Sequence, residues 1–495
     1  MITASTTDRA YAPARASSPP HLPRRALAVV ACVVVLAGLA LAVGPVQPTV
    51  AQYLAAAARD RAIQRYDLAL GQYAAAHAAA PTDPRPLCDT AAVRALQHEW
   101  PDAIASYRAC LARNGANGSD NGAVWLALGD ALAASGDTSS AAQAWQRAAD
   151  RGARDGPRRL ATAQEAAGHA AAAERAWQLL PRNDPQAVAH LGMLALWRGD
   201  LPTAQRDFLS ALDRPSGDLD AIRSAGFLDL AAAPPDQTNW SARLGFAFLA
   251  IGLPQLALDP LRHAVTAGST GAPAHAYLGW ALWLTGAQAA GAAAIATARA
   301  LDPKLSFAWF ATGEIAAARG DLAAADTALQ QALALDGNNS AILAAEARVL
   351  LAKHIYFQAD LAFGAAARLS TDPSATIEWL QFYLDYGYGI DDRRAVTAAQ
   401  AAVVRWPQNE PLRFQLAEVY AQMRQPAFSF YAATQARALD PTDPGPHILL
   451  AQSALAAGDL VAAATELRTA LALRPDSPRA GEARDLLAPI ADITV

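Results

Sequence analysis

Apolar positions fall into two regimes along the chain. From Ala26 to Gly44 no polar residue interrupts the run, and Pro45 and Pro48 follow at once. At 1.5 Å per residue the run spans about 28 Å, close to a bilayer's hydrocarbon thickness. It predicts one transmembrane helix, which the prolines stop at the far interface. Beyond residue 50 the pattern becomes periodic. Gly245, Gly279 and Gly313 stand 34 residues apart, the same register reaches Ala347, and Gly252, Gly286 and Gly320 follow seven residues after each glycine. Segment 306–336 shows the whole unit, with Trp309 four before Gly313, a turn at Gly320, then Ala325, Leu329 and Ala332 at helical spacing. Such a unit predicts two helices joined by a glycine turn. Period-two runs of Val, Ile and Thr are almost absent after residue 50, so the array is expected to be all-α.

The same positions recur on both sides of this unit. Ala69, Tyr73, Ala76 and Pro81 match its second half; Ala103, Tyr107 and Cys110 repeat them 34 residues on. Trp125, Gly129, Gly136, Ala141, Trp145 and Ala148 form a close copy, and Gly192, Gly199, Ala204, Phe208 and Ala211 another. Later copies carry Tyr420 with Pro441, and Gly458 with Ala463, Leu467, Ala470 and Pro475. This pattern resembles the tetratricopeptide repeat (TPR). The resemblance implies a right-handed superhelical solenoid of about a dozen helix-turn-helix units. One hairpin cannot bury its apolar face alone, so neighbours must stack. Gly or Ala at the eighth position and Ala at the twentieth let the two helices approach, and the larger residue at the twenty-fourth is expected to fill the gap to the next unit. Gly followed by Asp, as at Gly136, Gly199, Gly320 and Gly458, ends the first helix and caps the second.

These readings divide the chain. Residues 1–25, with four arginines and the single acid Asp8, read as a disordered cytoplasmic tail; 26–44 is the membrane helix and 45–51 a linker. Array I covers 52–217. A degenerate joint at 218–237, containing Ala233-Pro-Pro235, breaks the phase before array II at 238–475; residues 476–495 form a capping helix and tail. Arg24 and Arg25 before the apolar run favour a signal anchor, with the N-terminus cytoplasmic and the repeats extracytoplasmic. The alternative is a secreted or periplasmic protein released by cleavage, because small residues at Thr49-Val-Ala51 precede Gln52.

Composition changes this picture little. A net charge of −5 leaves no basic footprint, which argues against a nucleic-acid partner. Lys304 and Lys353 are the only lysines, a skew that fits a GC-rich bacterial genome. Cys32 lies in the apolar run; Cys88 and Cys110 fall on the two helices of one unit and read as small buried thiols, a bridge being the alternative in an oxidising compartment. Catalytic motifs are missing: there is no phosphate loop, no His-Glu-x-x-His helix, and the histidines are scattered singly. Gly387-Tyr-Gly389 is too short for a dinucleotide loop, and Asp391-Asp392-Arg393-Arg394 reads as a solvated turn that starts a helix. Neither a catalytic residue nor a cofactor or metal site is expected.

Function should then lie in binding. In proteins with such repeats, the resemblance implies, ligands lie in the groove lined by first helices. Its places here hold Met193 and Trp197, Phe246 and Leu249, Trp280 and Trp283, then Phe307 and Phe310. That aromatic stripe suits an amphipathic helix or an extended apolar peptide. Tyr386 and Tyr388, near a turn, form a second candidate surface. The Lys and Asn clamp used on acidic chaperone tails is missing, since the fifth places hold Cys88, Leu126, Ala189, Ala242, Ala276, Phe310 and Ala344. The expected role is a membrane-anchored protein-binding scaffold; the alternative is an accessory or regulatory subunit of an envelope polysaccharide or glycosyltransferase system.

Overall fold

The Gly-Asp pairs do turn the chain. Gly136, Gly199, Gly320 and Gly458 have φ of +90°, +80°, +80° and +77°, a left-handed backbone that only glycine adopts without steric cost. The aspartate that follows caps the next helix. Asp137 Oδ1 accepts from the Ser140 backbone N–H at 3.0 Å, Asp321 from Ala324 at 3.0 Å and Asp459 from Ala462 at 2.9 Å.

A computed structural model describes residues 48–63, 65–114, 121–212, 221–223, 225–232, 239–267, 271–474 and 479–491. Among these residues there is no strand. The helices are α1 (Val50–Ala62), α2 (Tyr66–Ala79), α3 (Arg85–Leu96), α4 (Trp100–Asn114), α5 (Asn121–Ala134), α6 (Thr138–Asp150), α7 (Gly156–Ala166) and α8 (Ala170–Trp177). Then come α9 (Pro185–Trp197), α10 (Leu201–Leu212), the short α11 (Phe227–Ala232), α12 (Trp240–Ala250), α13 (Pro254–Thr266), α14 (Ala272–Leu284), α15 (Gln288–Leu301), α16 (Ser306–Ala318) and α17 (Leu322–Leu335). The last are α18 (Ser340–Ala352), α19 (Tyr356–Leu369), α20 (Ser374–Tyr386), α21 (Arg394–Arg405), α22 (Glu410–Gln422), α23 (Pro426–Leu439), α24 (Pro444–Ala457), α25 (Leu460–Leu473) and α26 (Ala480–Leu487). They pair as hairpins, and each hairpin stacks on the next. The chain is an all-α helical-repeat solenoid.

Inside each hairpin, small residues set the approach. A Cβ on Gly279 would lie 2.8 Å from the Gly291 carbonyl oxygen, and one on Gly291 would lie 2.8 Å from the Trp283 backbone nitrogen. Neither neighbour is a side chain that can rotate away, so α14 and α15 pack backbone to backbone. The twenty-fourth residue has a second role beyond the sequence reading. Trp145, Phe208, Leu261, Ile295 and Leu329 each stand against the eighth-position glycine of their own unit, at Gly129, Gly192, Gly245, Gly279 and Gly313. Removing one Cβ makes a slot that the opposite large side chain fills, so the pair closes the hairpin, while Ile295 and Leu329 also pack on the first helix of the next unit.

The anticipated arrays on either side of 218–237 share one core. A single buried cluster runs from Ala91 to Ala281 and includes Phe227, Leu230 and Trp240 around the degenerate segment. Trp240 Nε1 donates to the Leu230 carbonyl at 3.3 Å, and Gln205 Nε2 to the Ala231 carbonyl at 2.6 Å. Helix α13 also packs back against α7.

Cys88 and Cys110 correct another expectation, because they are joined as a disulfide, with Cα atoms 5.2 Å apart. Helices α3 and α4 are held at hairpin distance, which places the two Cβ atoms within bridging reach. The tail 1–25 and the apolar run 26–44 lie outside the described residues. Among the described residues no helix is long and apolar enough to cross a membrane.

Candidate functional site

First helices place their ninth and twelfth residues on the same face as the second and fifth of the next unit. On α12, α14 and α16 those places carry rings, and the rings meet. Phe246 lies 4.7 Å from Tyr277 and 6.0 Å from Phe307, centroid to centroid. Tyr277 and Phe307 are 4.9 Å apart, Phe307 and Phe310 5.7 Å, and Phe310 and Trp280 6.2 Å. These separations are those of favourable tilted and edge-to-face pairs. The result is one aromatic surface built by three successive units. Phe246, 39% exposed, is its most open member.

The rest of the expected stripe behaves differently. Met193 has no exposed area and sits inside the core beside Leu194 and Leu196. A fully buried side chain cannot line a groove. Trp197 is also committed to the fold, since its Nε1 donates to the Leu256 carbonyl of α13 at 3.1 Å. Leu249 is half-buried against the same core. Trp283 packs on Ile295, Ala311 and Ile315, and the Arg319 guanidinium lies over its ring at 5.1 Å. The surface therefore centres on Phe246, Phe307, Phe310 and Trp280. Tyr277, at a sixth position, is the member that sequence reasoning missed; burial raises its phenol above the ordinary value.

Toward the C-terminus the same face turns polar and self-satisfied. Arg348 of α18 donates to Glu314 of α16 at 3.0 Å and to Glu378 of α20 at 3.1 Å, one ion-pair ladder across three units. Charges paired with one another offer less to a partner than bare rings do. Beneath the ladder, Glu346 is buried near the Lys353–Asp326 ion pair (2.5 Å). Burial, reinforced by Asp326 and opposed by Lys353, pushes its carboxyl up to about 7 from the usual 4.5. The folded chain thus binds this proton more tightly than the unfolded chain, so stability falls as pH rises from about 4.5 to about 7. Glu346→Gln should therefore raise the melting temperature at pH 8, by the equivalent of roughly 2 kcal/mol, and change it little at pH 4. Melts followed by circular dichroism test this; an equal shift at both pH values refutes it.

The second candidate surface lies where the period slips. First helices begin at Ala272, Ser306, Ser340 and Ser374, 34 residues apart, but the next begins at Glu410, 36 residues on. The two extra residues enter the turn between α20 and α21. Gly387 and Gly389 take left-handed φ of +62° and +73°, and Ile390 is buried. This longer turn holds α21 away from α20, which touch less than the two helices of the other hairpins. Tyr386 is 51% exposed, whereas Tyr388 is half-buried, with the Arg394 guanidinium 4.7 Å above its ring. Both rings lie tilted against Tyr356, at 5.5 and 6.1 Å, and against Phe382. Under them Asp360 is buried. It accepts from Trp379 Nε1 at 2.8 Å, from the Tyr383 hydroxyl at 2.5 Å and from Arg394 at 2.7 Å. Burial and this carboxylate raise the Tyr383 phenol far above its ordinary value.

No protein-family model matches the chain, and no curated protein sequence matches it. Solved structures do. Yeast Tom70 is similar over 89% of this chain and 94% of its own, at 13% identity and a TM-score of 0.37. PilW, a widely conserved type IV pilus biogenesis factor, matches 43% of this chain and 97% of its own, at 18% identity and a TM-score of 0.35. YrrB, a TPR protein with an unusual peptide-binding site, matches 39% and 99%, at 17% identity and a TM-score of 0.32.

Proposed function

We propose that the chain is a non-catalytic scaffold that holds partner polypeptides against the aromatic surface of α12, α14 and α16. The observation that carries this reading is the continuous contact of Phe246, Tyr277, Phe307, Phe310 and Trp280 across three units. Rings on a repeat-built face supply large apolar area at low rotamer cost, which suits an amphipathic helix or an extended apolar segment. The array is anchored by residues 26–44 and faces the extracytoplasmic side. Two features support that orientation: the Arg24-Arg25 pair before the apolar run, and the Cys88–Cys110 bridge, which persists in oxidising compartments.

A photo-crosslinking residue placed at Phe246 tests the scaffold reading in cells. It is expected to trap a small, reproducible set of polypeptides in the membrane fraction. The adducts should disappear when Phe307→Ser and Phe310→Ser are added, with helical content unchanged. Adducts that survive those substitutions, or none at all, would sink the assignment.

A further inference from the structure

The slipped hairpin leaves a cavity of about 580 Å³ between the second helices α19 and α21, with α20 as its floor. That volume is within the usual range of small-molecule sites. The walls of its middle are apolar: Leu361 (57% exposed), Gly364, Ala398 and Ala401, over the half-buried Trp379. Hydrogen-bonding groups are scarce there, because Thr376 is buried and the Thr397 hydroxyl donates to the Arg393 carbonyl at 2.9 Å. From Leu361 to Arg368 this wall runs about 10 Å along α19.

Charge differs between the two ends. At one, Arg393 and Arg394 meet Asp360 and Asp392, and both carboxylates pair with Arg394 at 2.7 Å. Two cations against two anions leave that end without net charge. At the other end Arg368 and Arg405 line the cavity with no lining carboxylate beside them. The acid nearest them in sequence, Asp372, caps α20 by accepting from the Ser374 backbone N–H at 2.8 Å. Among the described residues neither Arg368 nor Arg405 has an ion-pair partner. Arg405 donates to the Ala367 and Ser370 carbonyl oxygens at 2.8 and 2.5 Å, and its guanidinium lies 4.2 Å over the Trp406 ring. Its position is thus fixed while its charge stays unmatched, and a guanidinium has five N–H donors, so some are left for a ligand.

We propose that this groove binds a single-chain anionic amphiphile, with its carboxylate held by Arg368 and Arg405 and its hydrocarbon tail laid along Leu361, Gly364, Ala398 and Ala401. Guanidinium forks pair with carboxylates in bidentate fashion, and one already oriented by backbone carbonyls loses little freedom on doing so. The tail displaces water from the apolar walls and from the face of α20 beneath them. A peptide fits less well, because its backbone N–H and C=O groups would lose water and find few partners along those walls. The far end, without net charge, offers no match to a second carboxylate, so the ligand has one head and one orientation.

The test titrates octanoate into the full chain held in phosphatidylcholine nanodiscs at pH 8, read by calorimetry against empty nanodiscs. Saturable binding at one site per chain is expected. Arg368→Glu should weaken it about tenfold or more, and so should Ala401→Trp, which fills the middle of the groove. Both positions are exposed, so helical circular dichroism should stay unchanged. Arg393→Ala, at the end without net charge, should change the affinity by less than about threefold. Phe246→Ser with Phe307→Ser should leave binding intact, which separates this site from the scaffold reading. The proposal is overturned if 1-octanol or octyltrimethylammonium binds equally well, if Arg393→Ala costs as much as Arg368→Glu, if either groove variant binds unchanged, or if no saturation is reached. Complete displacement by the peptide Ser-Ser-Leu-Val-Leu at octanoate's own concentration would make this a peptide site and overturn it too.

Discussion

Asp360→Ala is expected to cost about 3–5 kcal/mol, because it strips a buried carboxylate from three donors at once. Trp379 Nε1, the Tyr383 hydroxyl and Arg394 all converge on it. Without Asp360, the buried Tyr383 hydroxyl, the half-buried Trp379 indole and one guanidinium lose their acceptor, and the hydroxyl keeps its desolvation penalty. The loss should be local, since repeat arrays sum the stabilities of neighbouring units. Amide hydrogen exchange reads it directly. Protection across α19, α20 and α21 should fall roughly a hundredfold or more, while α1 to α6 stay unchanged. Asp392→Ala, which removes an exposed partner of Arg394, should change protection by less than tenfold. Protection within tenfold of the parent in Asp360→Ala would show that this network does not hold the splayed hairpin.

Reduction of the Cys88–Cys110 bridge should have the next largest effect. The bridge closes a loop of sequence separation 22, for which chain entropy gives roughly 3 kcal/mol. Its benefit falls on α3, α4 and the hairpins stacked on them. Thermal unfolding with and without dithiothreitol should show the early part of the melt moving to lower temperature. Cys88→Ala with Cys110→Ala should reproduce that shift and abolish its dependence on reductant. A melt indifferent to reductant would remove both this stabilisation and one support for an extracytoplasmic array.

The repeat was legible because its signals are local. A glycine at φ +80° and an aspartate capping the next helix act within four residues, so Gly320-Asp321 announces its own turn wherever it lies. Period and helix pairing follow from such turns and from the slots at Gly245, Gly279 and Gly313. The slip at α20–α21 was also present in the sequence, as two residues inserted between Ser374 and Glu410. Its weak marker was a second glycine, Gly389, beside Gly387. What that insertion does, opening a groove with net positive charge at one end, depends on where a whole helix is displaced.

Site residues show the same division. Register, read against the repeat that the chain resembles, placed Phe246, Phe307, Phe310 and Trp280 on one face, because the face of a first helix is fixed by the 3.6-residue turn. Register placed Met193 and Trp197 there as well, and the structure takes both away. Helix α13 folds back on α7 and gives Trp197 a carbonyl partner 59 residues along the chain, and Met193 is fully buried in the shared core. The Cys88–Cys110 bridge likewise needed the distance between two helices, which no spacing of two cysteines reports. Sequence by itself determined the repeating hairpin, its turns and the chemical character of its faces, since each rests on residues a few positions apart. Which parts of a face stay open, which charges remain unmatched and which hairpin gapes were decided only by tertiary structure, because burial and pairing depend on elements brought together from distant parts of the chain.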